Sequence, residues 1–163
     1  RDNIYAIGDV TGLMPLAHVA SAQGVMMAEN IAGIPVTPID YSYVPRAVYT
    51  HPEVASFGLD EQAALSAGYD ISVSRFPFVA SAKAVADGET EGVAKLVVNN
   101  ETGELLGVHI LGSGATEIVH ELAVAQRFEG KVAQVGDVIH AHPTLSEIIK
   151  EASLLLGARA IHV

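Results

Sequence analysis

The strongest constraint on the fold is a hairpin written into residues 92–111. Residues 92–98 (GVAKLVV) alternate as a strand, residues 99–103 (NNETG) supply turn chemistry, and residues 105–111 (LLGVHIL) return as the antiparallel partner. Residues 71–78 (ISVSRFPF) alternate in the same way, and two short strands are expected at 46–50 and 54–58, separated by His51-Pro52. Such a sheet has an apolar face that must be covered. Asp60 can cap a helix over 61–67 that Gly68 stops. Ser113-Gly114 opens a second helix from Ala115 to about Phe128, with Ile118, Leu122 and Ala125 on one side. A short turn is expected near 135–138. Thr144 can then cap a last helix to about Leu156, with Glu147 at the capping-box position. Strands followed by helices predict an α+β fold, an antiparallel sheet with helices on one face.

The first forty residues have a different character. Ile4-Tyr5-Ala6-Ile7 reads as a strand with Gly8-Asp9 at its end, and a loop leads to a helix beginning at residues 15–18 and running to about Gly33. That helix is apolar nearly all round, which predicts burial between layers. A strand, loop and helix with nothing parallel to pair with make an incomplete α/β unit. Residues 34–45 hold three prolines and read as a linker. The expected division is 1–40 and 41–163. Arg1-Asp2-Asn3 stands directly before the first strand and reads as a cut end rather than a signal peptide.

Composition narrows the partners. Nine basic against nineteen acidic residues give a net charge of −10, which repels phosphate backbones and anionic membranes, so neither nucleic acid nor membrane is expected. No run of about twenty apolar residues is present to span a bilayer. There are no cysteines, so any thiol chemistry must use sulfurs from elsewhere. A cytoplasmic location is the default expectation.

The chain has seven histidines. His109, in a strand, and His120, in a helix, suit packing or surface roles; His162 is in the last residues, and His18 and His51 are at element ends. None has the spacing of a metal site, and no metal is expected. Residues 140–147 (HAHPTLSE) differ. His142 precedes Pro143, which directs the histidine at a helix entrance and can be cis at little cost. Glu147 is close enough on the following helix to accept the imidazole N–H, which would select the tautomer and leave the other nitrogen to move a proton. The plainer alternative is that Thr144 and Glu147 merely form a capping box beside an incidental loop histidine. A second candidate is Gly8-Asp9: a carboxylate at a strand end can take hydrogen bonds from polyol hydroxyls, and Gly8 lets backbone approach a ligand. Pro15, Leu16, Ala17 and His18 follow, at a helix start whose N–H groups suit an electron-rich acceptor. The alternative there is an ordinary turn. No GxGxxG is present.

Together these segments resemble the pyridine nucleotide–disulfide oxidoreductases. Ile4-Tyr5-Ala6-Ile7-Gly8-Asp9-Val10 is similar to their second flavin-binding motif, and Tyr49-Thr50-His51-Pro52-Glu53-Val54-Ala55 to the start of their dimerisation domain. Leu106-Gly107-Val108-His109-Ile110-Leu111-Gly112 with Ala115-Thr116-Glu117 resembles that domain's hairpin and next helix, and residues 140–147 its active-site motif. HAHPTLSE together with THPEVA most resembles the dihydrolipoamide dehydrogenase branch. Glutathione reductases are the nearest competitor, and a free-standing dimerisation module with no catalysis is the alternative of another class.

The resemblance implies that residues 1–40 are the tail of an FAD-binding α/β domain and residues 41–163 a dimerisation domain. It implies a parent enzyme that oxidises dihydrolipoamide with NAD+ through FAD, as a homodimer, partnered by the lipoyl-bearing acyltransferase of a 2-oxo acid dehydrogenase complex. Asp9 would hold the ribityl chain, with Gly8 beside it. Pro15, Leu16, Ala17 and His18 would meet the flavin's pyrimidine edge, although proline has no N–H to offer. His142 would be the proton acceptor, oriented by Glu147. The cysteine pair, the pyrophosphate fingerprint and the NAD domain of that family are missing from these residues, so the isolated chain is expected to be inactive and to retain no cofactor.

Overall fold

The computed structural model describes residues 2–163, which divide between Val44 and Pro45 into two compact units. In the larger unit, strands β1 (Arg46–Val48), β2 (Val54–Gly58), β3 (Ile71–Pro77), β4 (Val93–Asn99) and β5 (Leu105–Leu111) form one sheet in the order β1-β2-β5-β4-β3. Every pairing is antiparallel. The hairpin predicted from residues 92–111 is its centre.

Register explains the core. Ala55 lies opposite Ile110, Phe57 opposite Val108, Leu96 opposite Val108, and Ala94 between Ile110 and Phe76. Directly opposed residues share a face, and each of these is at most 2% exposed. Burying a side chain the size of Phe76, Leu96 or Ile110 contributes about 1.5–3 kcal/mol. Helix α4 (Ala115–Arg127) contacts β2 and β5, and α6 (Glu147–Leu155) contacts β3 and β4. Ile148 of α6 joins Phe76 in lining one crevice. The α+β arrangement expected from the pattern is therefore present. One short helix, α2 (Glu61–Ser66), takes the other face. Its Glu61 bonds Arg75 and Lys95, which oppose each other on that face, and its Ala64 packs with Val97 and Leu106.

Asp60 caps α2 as expected, accepting the Ala63 N–H at 2.7 Å. Gly107 is required by a close approach: a Cβ there would meet the Leu59 backbone carbonyl. Two expectations need correction in this unit, and one helix was not expected at all. The turn expected at 135–138 is part of a helix, α5 (Val132–Asp137). A further helix, α3 (Ala82–Asp87), capped by the Ser81 side chain, was not anticipated. Thr144 does not cap α6, because its hydroxyl donates to Ala141 O at 2.8 Å, and Ser146 occupies the N-cap position instead.

In the smaller unit, residues 4–7 form no strand. A strand needs a neighbour for its N–H and C=O groups, and none is present among the described residues 2–44. Ile4, Tyr5, Ile7 and Val10 are all exposed. Helix α1 (Ala17–Ile31) ends two residues before Gly33 and buries only Val19 and Gln23. The expected burial between layers is not found, because two layers must exist before a helix can lie between them. Among the described residues, no helix is long and apolar enough to cross a membrane.

Candidate functional site

Residues 138–147 bring the sequence-predicted pair together. The peptide bond before Pro143 is cis, and Glu147 is the first residue of α6. His142 Nδ1 faces Glu147 Oε1 at 3.0 Å and Oε2 at 3.2 Å. The Thr144 N–H also donates to Glu147 Oε2, at 2.9 Å. Of the Thr144–Glu147 capping box only this half is present, and the same carboxylate also faces His142. The His142 side chain is 65% exposed, whereas that of Glu147 is 22% exposed. An acceptor at Nδ1 places the ring proton there and leaves the lone pair on Nε2. That arrangement can accept a proton from a bound substrate.

Burial pushes the Glu147 carboxyl upward. The Thr144 N–H, the His142 hydrogen bond, and the charges of His142 and His162 outweigh it and hold the pKa below the usual carboxylate value. Glu61 is lowered too, by its hydrogen bond to Arg75 first and to Lys95 second. Folded-state pKa values below those of the unfolded chain mean stabilisation that is complete above the ordinary carboxylate range and lost as pH falls through the depressed values. Thermal unfolding measured from neutral pH downward should show an acid limb, and Glu147→Gln should make that limb shallower. An unchanged acid limb in this variant would remove Glu147 from the account.

His140 is placed differently. Its Nδ1 faces Val138 O at 3.0 Å and its Nε2 faces Glu121 Oε1 at 2.7 Å. Its side chain is 6% exposed. With both nitrogens engaged, it ties the loop to α4 and directs no lone pair at a substrate. Sequence reasoning missed Glu121, which lies nineteen residues away on another helix and carries no local signal. It also missed Glu151 and His162, which meet through Nδ1 and Oε1 at 3.2 Å. Glu151 is one turn along α6 from Glu147, a spacing that already places it on the same face.

In the smaller unit, Gly8 opens a 3-10 turn (Gly8–Thr11) with φ +71°. Its N–H is held by the buried Gln23 side chain at 2.6 Å, and Gln23 also bonds the Tyr41 hydroxyl. Asp9 follows, exposed. Leu16 is the N-cap of α1 and no side chain caps it among the described residues. Ala17 and His18 are in the first turn. Pro15 lies before the helix rather than at its start, because its neighbour Leu16 is still extended. Among the described residues, no group of three or more His, Cys, Asp or Glu could hold a metal.

The profile of the family described as pyridine nucleotide-disulphide oxidoreductase, dimerisation domain, matches residues 44–153. The chain belongs to this oxidoreductase family. Among its relatives is a dihydrolipoyl dehydrogenase of Bacillus subtilis, 43% identical over 162 residues, covering 99% of this chain and 34% of the relative. The crystal structure of LpdA from Mycobacterium tuberculosis superposes with a TM-score of 0.87 at 31% identity, over 94% of this chain and 33% of that one. The HOCl-induced flavoprotein disulfide reductase RclA of Escherichia coli gives 0.89 at 28% identity, over 94% and 36%. The chain spans about a third of the length of these relatives.

Proposed function

We propose that this chain supplies the dimer-forming domain and the acid/base pair of an FAD-dependent dihydrolipoyl dehydrogenase that oxidises dihydrolipoamide with NAD+. The observation that carries the reading is the His142 Nδ1–Glu147 hydrogen bond at 3.0 Å on a side chain that is 65% exposed. Dihydrolipoamide must lose a proton before its sulfur can attack a disulfide, since the thiolate is the nucleophile. His142 Nε2 takes that proton, and the Glu147 carboxylate stabilises the resulting imidazolium and keeps the ring in orientation. The residue-level likeness to dihydrolipoyl dehydrogenases, at 43% identity, favours this substrate over that of another disulfide reductase. The full-length enzyme carrying His142→Gln tests the reading, with the outcome set out in the Discussion.

The cofactor fit rests on this chain's donor set. Asp9 offers an exposed carboxylate for ribityl hydroxyls, the turn at Gly8 is braced by Gln23, and the start of α1 offers the Ala17 N–H beside Leu16 and His18, the Leu16 N–H itself being held by Met14 O. Pro15 can offer only its backbone carbonyl and ring. A bound flavin would carry electrons between a redox disulfide and NAD+. The chain has no cysteine to form that disulfide and no pyrophosphate-binding glycine fingerprint. On its own it therefore neither turns over nor holds FAD. Residues 1–40 are assigned to the FAD domain and 41–163 to the dimerisation domain. A cytoplasmic enzyme serving the lipoyl-bearing acyltransferase of a 2-oxo acid dehydrogenase complex completes the proposal.

Dimerisation is supported by an apolar groove between α4 and residues 138–141, lined by Val124, Ala125, Val135 and Val138. Phe128, which directly follows α4, and Ile139, next to Val138 in the chain, are exposed. Side chains of this kind at the surface mark an interface, and a two-fold pairing would bury the same groove on both copies. Sedimentation should give a dimer at tens of micromolar, a concentration that on the order of a standard-sized interface saturates. Ile139→Asp should give a monomer. A monomeric unmodified chain would overturn this part.

A further inference from the structure

Glu151 is a carboxylate only 5% exposed, and buried charges of this kind need partners. Its partners come from the residues after α6. Oε2 accepts the Ile161 N–H at 2.8 Å and the His162 N–H at 3.2 Å, while Oε1 faces His162 Nδ1 at 3.2 Å. These donors fold residues 161 and 162 back against the helix. The effect is local and directed: His142, Glu147, Glu151 and His162 line one narrow crevice, together with Phe76, Ser81 and Ile148. Two imidazole–carboxylate pairs therefore stand one helical turn apart on the same face of α6. The first has an exposed histidine. The second has a carboxylate sealed inside.

We propose that Glu151 and His162 are positioning residues for the His142–Glu147 pair: Glu151 holds the returning segment, and the segment places the His162 ring where it walls the crevice beside Glu147. The inference rests on the reading of His142–Glu147 as an acid/base pair and extends it. With the His162 ring in place, water has less access to the Glu147 carboxylate, and the carboxylate is confined to the orientation that accepts from His142 Nδ1. His162 also adds to the depression of the Glu147 pKa. Without the ring, water competes for Glu147 and the His142 ring is freer to exchange tautomers.

The test uses the whole 163-residue chain with nitrogen-15 labelling, reading the His142 ring nitrogens for the Nδ1–H tautomer fraction. His162→Ala and Glu151→Gln should each lower the ratio of Nδ1–H to Nε2–H tautomer by about two- to tenfold, the factor that one net hydrogen bond supplies. The amide signals of Ile161 and His162 should move in Glu151→Gln, while methyl signals of Leu96 and Val108 stay in place. Glu147→Ala, which removes the acceptor altogether, is the reference for the underlying pair. If it shifts the His142 tautomer while His162→Ala and Glu151→Gln leave it unchanged, the positioning inference is overturned and the pair stands. If Glu147→Ala itself leaves His142 unchanged, the pair reading falls, and the inference with it. Should Glu151→Gln fail to fold, His162→Ala decides alone, since that side chain is more than half exposed and its removal leaves the core intact.

Discussion

His142→Gln, made in a full-length enzyme carrying this segment, should lower the rate of dihydrolipoamide oxidation by ~10²–10⁴-fold, the contribution of a positioned general base. Glutamine keeps polarity and approximate size but has no lone pair that takes a proton near neutral pH. NADH oxidation by an artificial acceptor that bypasses the thiols should survive largely intact. Glu147→Gln should have a smaller effect, because an amide oxygen can still accept from Nδ1 while the charge that stabilises the imidazolium is lost. His140→Gln should have the smallest effect on proton transfer, since both ring nitrogens are already occupied by Val138 O and Glu121. Steady-state rates of the three variants give the ordering. A larger loss at His140 than at His142 would assign the base to the other histidine. Equal loss in the artificial-acceptor assay would point to folding or flavin binding instead.

The parts of this fold that were legible in sequence are those with local causes. Strand β5 was read to the residue, because LLGVHIL is bounded by turn chemistry on one side and glycines on the other. The capping of α2 by Asp60 and its stop at Gly68 follow from side-chain and backbone preferences within a few residues. Helix α5 was hidden by Gly136, which reads as a turn. In the structure its missing Cβ makes room for Leu154, against which a Cβ would lie at 3.0 Å. Helix α3 has one buried residue, Ala84, in six, too little to set a period. The strand expected at 4–7 failed for the opposite reason: its pattern is sound, but strand pairing is not a local property. At the site, His142 and Glu147 were legible because five residues around a proline place them together. His140–Glu121 and His162–Glu151 were not, because packing rather than spacing brings them into contact.

Phe76 joins the stability of the sheet to the geometry of the site, and its removal should have the largest effect on stability among the changes considered. It lies opposite Ala94 in β3, fully buried, and its ring reaches the crevice wall beside Ile148, His142 and Glu147. Phe76→Ala removes the ring and leaves a cavity between sheet and α6 that the small Ala94 opposite cannot fill. Substitutions of this kind destabilise by about 3–5 kcal/mol. Val85→Ala, on the exposed side of α3, should stay within about 0.5 kcal/mol of the unchanged chain. Urea unfolding of both variants measures the contrast. The site should respond as well, because α6 carries Glu147 and rests on that ring: the His142 Nδ1–H tautomer signal should weaken in Phe76→Ala even well below the unfolding midpoint. A loss of under about 1 kcal/mol would mean that the helix collapses onto the sheet without strain. The account of α6 as a platform held at a set height by Phe76 would then have to be given up.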